Sequence, residues 1–386
     1  MKTIAVIGSG TMGSGIAQVA LMHQHKVLLY DISENALHKA KDKLEQIFSK
    51  LIEKNKITEQ QKNTYLQNIF YTTTLKDIKN ADLIIEAIVE NLDIKKQTFK
   101  EIETIVSSEC ILATNTSSLS VHSMIRDLKY PQRFLGIHFF NPAPLMPLVE
   151  VIPTLLSDTN VIQQSLDLLH NWGKTTVIAK DTPGFIVNRI ARPFYSEALR
   201  IYDEGIADIP TIDWVMKNIG GFKMGPFELM DLIGHDVNYV VTETVWKQMY
   251  YDPKYKPSHS QKMLLDAGLL GKKTGRGFYD YSQSLPTEPT IKDTSLHHKI
   301  FIRILSMLIN EAVDALYYNI ASKEDIEIAM QKGVNYPKGL LHWADELGLN
   351  TIYNELQSLY EYYQEDRYRP SVLLKKKINS QEKFFE

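Results

Sequence analysis

Three glycines constrain this chain more than any other feature. Gly8, Gly10 and Gly13 stand at the G-x-G-x-x-G spacing within the opening residues MKTIAVIGSGTMG. The apolar run Ile4-Ala5-Val6-Ile7 before them has strand character, and Ser14 to Ala20 behind them reads as the first turns of an amphipathic helix. In that context Gly8 makes the tight turn, Gly10 lets the backbone approach a pyrophosphate, and Gly13 allows close helix–strand packing. The helix N-terminus then offers free N–H groups and a positive dipole end to phosphate. A second strand, Lys26–Tyr30, ends at Asp31, eighteen residues beyond Gly13. A carboxylate there accepts the ribose hydroxyls of NAD and repels the 2′-phosphate of NADP.

The chain has 386 residues, too many for one ordinary core, so two or three domains are expected. Its 44% hydrophobic and 23% charged content is that of a globular protein, and a net charge of −3 gives no global reason to bind nucleic acid. Cys110 is the single cysteine, so no intrachain disulfide forms and a reducing compartment fits. The first strand begins almost at once, leaving no room for a targeting peptide, and no apolar run approaches the roughly 20 residues of a membrane span. A cytoplasmic protein is the expectation. No metal-ligand set is predicted.

Up to about residue 181 the chain alternates strand-like and helix-like segments. After the first βαβ unit come Leu83–Ile88, Ile111–Thr114, Phe134–Phe139, Leu148–Ile152 and Thr175–Ala179, the pattern of a doubly wound α/β Rossmann-type sheet. A lysine-rich helical insertion spans Glu34–Leu66; most of its lysines read as a solvated face. From Thr182 the strands stop, and Phe185–Tyr202 reads as one long buried helix. Ser282 to Thr294, with Pro286 and Pro289, reads as a linker.

The chain beyond the linker repeats the segment before it. A gapless shift that puts Arg189 on Arg303 also matches Glu197 with Glu311, Met216 with Met330, Gly225 with Gly339, Asp231 with Asp345 and Gly234 with Gly348. Residues 189–234 contain eleven such identities, against about three expected by chance. The predicted organisation is a nucleotide-binding domain (1–181) and two all-α helical domains (182–284 and 295–386).

In open α/β sheets ligands bind at the carboxyl ends of the strands, near the switch in strand order. Asn115-Thr116-Ser117-Ser118 follows one such strand. His138 lies near the end of the next, before Asn141-Pro142, and Glu150 lies twelve residues on. Asn188 follows Pro183-Gly184. Hydride transfer from an alcohol needs a base, and histidine with a buried glutamate to fix its tautomer suits that task. Ser117 and Asn188 supply hydrogen bonds for a substrate oxygen. Taken singly, each of these residues has an ordinary structural role available to it.

The motifs GSGTMGSGIA, EAIVENLDIKK, ATNTSSL, GIHFFNPAPLMPLVEVI, KDTPGFIVNRI and GPFELMDLIG, in this order, resemble those of L-3-hydroxyacyl-CoA dehydrogenases, most nearly the bacterial 3-hydroxybutyryl-CoA type. The resemblance spans residues 1 to about 281. The C-terminal copy resembles the second helical module of longer members. It implies an NAD-dependent enzyme acting on acyl-CoA thioesters, with His138 as base, Glu150 orienting it, and Ser117 and Asn188 at the 3-oxygen and thioester. For NAD it implies Gly8, Gly10, Gly13, Asp31, Glu90, Lys95, Ser117, Asn141 and Lys273. Lys54 falls where the family places a lysine near coenzyme A; a serine that some members use there falls at about Ile47. Asn188 aligns with Ile302 and the second copy has no PGFIVN segment, which implies one active site per chain. A homodimer and a pseudo-dimeric monomer are both open. The rival functions are a dehydrogenase of free hydroxy acids or sugar acids, and a non-catalytic NAD-binding scaffold.

Overall fold

In the computed structural model, which describes residues 1–385, the chain divides after Thr182 into two units. The first is built on one eight-stranded sheet. Its strands are β1 (Thr3–Ile7), β2 (Lys26–Tyr30), β3 (Ile69–Thr72), β4 (Leu83–Glu86), β5 (Ile111–Thr114), β6 (Phe134–Phe139), β7 (Leu148–Pro153) and β8 (Thr175–Ile178). They lie in the order β3-β2-β1-β4-β5-β6-β7-β8. All neighbours are parallel except β6 and β7. Strand order reverses between β1 and β4, so the crevice at a topological switch point opens beyond Ile7 and Glu86.

The helices of this unit are α1 (Thr11–Met22), α2 (Glu34–Glu53), α3 (Glu59–Gln67), α4 (Leu92–Glu103), α5 (His122–Ile125) and α6 (Thr159–Asn171). Ile4 to Ile7 are wholly buried, as befits a central parallel strand covered on both faces. Ile16 and Ala20 of α1, Leu29, Ile85, Ala113, Ile137 and Val149 join Ile4 and Val6 in one core. The helical insertion consists of two helices, α2 and α3. Asn55 turns the chain at φ +54°, and Thr58 with Gln61 forms a reciprocal capping box that starts α3. Phe48 and Tyr65 close the pair with ring centroids 5.4 Å apart, leaving the lysines outside. Strand β3, which comes next, is a run of β-branched and aromatic residues that the sequence analysis does not single out.

The second unit begins at Pro183 and is helical throughout. Its first copy comprises α7 (Val187–Ile190), α8 (Arg192–Asp203), α9 (Ile209–Asn218), α10 (Pro226–Ile233), α11 (His235–Gln248) and α12 (His259–Asp266). The continuous helix expected over Phe185–Tyr202 is interrupted. Phe185 has φ +49°, and Pro193 in the first turn of α8 cannot donate to the preceding turn. The second copy comprises α13 (Thr294–Tyr317), α14 (Lys323–Gly333), α15 (Leu340–Leu347), α16 (Leu349–Tyr363) and α17 (Val372–Ser380). At the position of Pro193 it has Met307, and α13 runs unbroken.

The two copies repeat in detail. Pro226–Ile233 superposes on Leu340–Leu347 residue for residue, and the glycines after them, Gly234 and Gly348, both turn the chain at positive φ (93° and 85°). Asp213 accepts from Phe227 and Glu228 N–H, and its counterpart Glu327 accepts from Leu341 and His342 N–H. They also meet reciprocally. Arg189 Nε donates to Glu311 at 2.6 Å, and Arg303 Nε donates to Glu197 at 2.7 Å. Tyr255 and Tyr368 hydroxyls complete the two carboxylates at 2.5 and 2.7 Å. Residue i meeting j while j meets i is the signature of an isologous contact, here inside one chain.

The copies, expected as separate domains across a linker, therefore form one compact unit. The linker itself is docked: Pro289 is buried and Ile291 N–H donates to Thr211 Oγ1 at 3.1 Å. No helix among the described residues is long and apolar enough to cross a membrane.

Candidate active site

The glycine turn has the shape of a dinucleotide cradle. Gly8 lies at φ +102°, and a Cβ there would meet the Ala87 carbonyl oxygen at 2.6 Å. A Cβ on Gly13 would meet the Gly8 carbonyl oxygen at 1.8 Å, so α1 can lie against β1 only without a side chain. Gly10 is different: a Cβ there would enter open space, and no side chain caps α1. Bare backbone N–H groups facing an open position fit a pyrophosphate. Asp31, at the end of β2, accepts from Ser9 N–H and Ser9 Oγ, both at 2.8 Å, which fixes its carboxylate beside the turn. NAD fits this donor and acceptor set.

Beyond β4 and β5 two carboxylates organise the serine loop. Glu86 is wholly buried and accepts from Lys95 Nζ (2.6 Å), Thr114 Oγ1 (2.7 Å) and Ile88 N–H (2.8 Å). Glu90 accepts from Thr116 Oγ1 (2.6 Å), Ser117 N–H (3.1 Å) and Ser118 Oγ (3.1 Å). Burial opposes ionisation of Glu90, yet Lys95 and these donors outweigh it and hold the carboxyl below the usual range. Lys95, implied by resemblance as a cofactor residue, is 1% exposed and lies between Glu86 and Glu90. Its ammonium is the counter-ion of the two carboxylates at the base of the serine loop. Glu86, Thr114, Thr116 and Ser118 were not singled out from the sequence; the polar run ATNTSS was the only signal.

His138 and Glu150 face each other directly in the antiparallel register of β6 and β7. Opposed residues project from the same face, so the twelve-residue separation becomes a side-chain pair. His138 Nδ1 lies 2.7 Å from Glu150 Oε2; the histidine is 5% exposed and the glutamate fully buried. A carboxylate on Nδ1 selects the tautomer that carries the proton there and leaves Nε2 as the basic nitrogen. Asn115 Oδ1 accepts from Phe139 N–H at 2.8 Å, tying the serine loop to the end of the histidine strand. Ser117, His138 and Glu150 thus belong to one end of one sheet.

The other expected residues lie elsewhere. Asn141 is exposed, just beyond β6, and Lys54 is exposed at the C-terminus of α2. Asn188 and Lys273 belong to the second unit. Asn188 is half-buried on α7 between buried neighbours, and Lys273 pairs with Asp236. Among the described residues no cluster of three or more His, Cys, Asp or Glu side chains is disposed to hold a metal ion.

Comparison with known proteins bears on both units. The profile of the 3-hydroxyacyl-CoA dehydrogenase NAD-binding domain matches residues 3–182, and that of the C-terminal domain matches twice, at 184–281 and 300–383. The chain is 36% identical to a 3-hydroxyadipyl-CoA dehydrogenase of Escherichia coli K12, covering 98% of this chain and 97% of that one. It is 40% identical to a 3-hydroxybutyryl-CoA dehydrogenase of Clostridioides difficile, covering 72% of this chain and 99% of that one. A crystal structure of 3-hydroxybutyryl-CoA dehydrogenase from Escherichia coli K12 superposes with a TM-score of 0.93 at 35% identity, covering 98% of both chains. With both domain profiles in order along the chain, and relatives of this identity over most of it, the chain belongs to the 3-hydroxyacyl-CoA dehydrogenase family of NAD-dependent oxidoreductases.

Proposed function

We propose that the chain oxidises (S)-3-hydroxyacyl-CoA thioesters to 3-oxoacyl-CoA, with 3-hydroxybutyryl-CoA as the short-chain substrate, in fatty-acid β-oxidation or butanoate metabolism. The observation that carries this reading is the buried His138–Glu150 pair beside the serine loop. His138 Nε2 takes the proton of the 3-hydroxyl, and Glu150 stabilises the imidazolium through Nδ1–H. Bound NAD supplies the acceptor for the hydride that leaves C3. Ser117 and Asn188 hydrogen-bond the 3-oxygen and the thioester region. The glycine turn and Asp31 hold the dinucleotide, Glu90, Asn141 and Lys273 flank it, and Lys54 attracts the coenzyme A phosphates. The second helical copy stands in for a partner subunit's module, making the chain a pseudo-dimeric monomer. Its one thiol, Cys110, is buried and outside any disulfide, which suits a reducing cytoplasm.

A second reading, a substrate whose acyl tail ends in a carboxylate, is favoured by the relative of matching length and name, 3-hydroxyadipyl-CoA dehydrogenase. Reduction of acetoacetyl-CoA by NADH, followed by absorbance, tests the proposal, with 3-oxoadipyl-CoA, free acetoacetate and NADPH as parallel trials. Turnover of the CoA esters with NADH alone is expected, and the two esters rank the two readings. Activity on the free acid would overturn both. His138→Ala is expected to lower kcat by about two to four orders of magnitude with NADH binding retained.

A further inference from the structure

The segment joining His138 to Glu150 is poor in donors, since Pro142, Pro144 and Pro147 have no N–H. Leu145 and Met146 N–H both turn back to the Pro142 carbonyl, at 2.9 and 3.0 Å. Ala143 is buried, and a Cβ built on Gly15 of α1 would lie 3.4 Å from both Ala143 Cβ and Pro144 Cδ. The loop therefore rests on the helix whose first turn forms the dinucleotide cradle.

Two carbonyls of this loop, those of Ala143 and Met146, accept from a side chain. Lys174 Nζ donates to them at 2.5 and 2.9 Å. Lys174 is 8% exposed and occupies the turn between α6 and β8, beside Thr175, whose N–H donates to the Pro147 carbonyl at 2.8 Å. Burial lowers its pKa, and no charged neighbour offsets the effect. A buried ammonium with only neutral partners is costly, and an apolar side chain of similar length would fill the same volume at lower cost. Packing alone does not account for it. Charge-assisted hydrogen bonds, about twice as strong as neutral ones, do account for a loop that must be held in one conformation.

We propose that Lys174 is a positioning residue for cofactor binding: its ammonium draws the Ala143 and Met146 carbonyls inward and so sets the loop bearing Asn141 against α1. The inference rests on the reading of Asn141 and the glycine turn as parts of the NAD site.

A double-mutant cycle on the full-length protein tests it, with the dissociation constant of NADH read by fluorescence. Lys174→Met and Asn141→Ala are each expected to weaken NADH about 10-fold, and the double variant to be no weaker than the worse single one. In turnover the Lys174→Met effect falls on KM for NADH rather than on kcat or on KM for the CoA ester. Should Lys174→Met fail to fold, Lys174→Gln, which keeps two neutral donors, takes its place and gives a smaller loss with the same non-additivity. Additive losses of about 100-fold, or unchanged NADH binding in the single variant, would overturn the proposal while leaving the NAD site intact. Wild-type protein that does not bind NADH would bring down the site reading as well.

Discussion

Position 193 is proline in the first helical copy, and its counterpart in the second, position 307, is methionine. Together with the Phe185 turn, that difference accompanies a broken helix in one copy and a single 24-residue helix in the other. The break places Asn188 on a short helical turn of its own; the second copy carries Ile302 within α13 and buries it. A second difference lies at the far end. Asp231 accepts from Phe278 and Tyr279 N–H within the Gly271–Asp280 loop, which also carries Lys273. Asp345 accepts from Phe384 and Phe385 N–H directly after α17, with no such loop. Residues that hold helices to helices recur in both copies, whereas Asn188 and Lys273, the two proposed ligand residues of this unit, occur in one. On this reading the second copy is a packing partner and the first carries function.

The strongest way to break the comparison is to remove the partner. Helix α13 buries most of its length, Ile300 to Ala315 without interruption, so truncation before Thr294 exposes a large apolar face. The full chain is expected to sediment as a monomer and the truncated chain to self-associate. A full-length dimer that falls apart on truncation would sink the stand-in idea.

Next in size are the reciprocal ion pairs. Removing one partner of a buried pair leaves an uncompensated charge, at a cost of about 3–5 kcal/mol. Arg189→Met and Arg303→Met should each lower the unfolding free energy, measured by denaturant titration, by that order. Arg303→Met should cost more, since Arg303 also binds Glu204, Tyr363 and Tyr368. A negligible loss at either position would show that the contact is not a true two-fold one.

Smaller in energy but sharper in meaning is a paired substitution at the aligned positions 188 and 302. Asn188→Ala should lower kcat about 100-fold, the loss typical of one oxyanion donor, and Ile302→Ala should leave turnover within about twofold. Equal effects would erase the functional asymmetry.

The narrowest effect, confined to one pH window, is on pH dependence. Burial pushes the Asp213 carboxyl up to about 7 against the hydrogen bonds from Phe227, Glu228 and Tyr279. The folded chain then holds this proton more tightly than the unfolded one, so the contribution is full below pH ~4 and is lost as pH rises through ~7. Relative to Asp213→Asn, the wild type should lose thermal stability across that window. A constant difference in melting temperature between the two would contradict the shift.

Features set by neighbouring residues were legible in the chain: the glycine turn and most strands. His138 and Glu150 were visible as candidates, but their pairing depends on the β6–β7 register, which a spacing alone does not specify. Lys95 stands out in its motif, but its two carboxylate neighbours, Glu86 and Glu90, become visible only when the fold places them around it. Lys174 had no signature, since carbonyl oxygens from a proline-rich loop leave no mark on residue identity. The Phe185–Tyr202 helix was overextended because apolar periodicity outweighed a proline that the fold could not ignore.

The reciprocal arrangement of Arg189 with Glu311 and Arg303 with Glu197 has a consequence for how this protein can change. Where two identical subunits meet about a two-fold axis, every substitution is made twice, and an improvement on one side must be tolerated on the other. Joining the halves in a single chain removes that obligation. Each half then drifts under its own constraints, as Asp213 opposite Glu327 and Phe222 opposite Tyr336 already record. The tandem layout converts a symmetry requirement into independent degrees of freedom, so one half can be remodelled while the other preserves the fit.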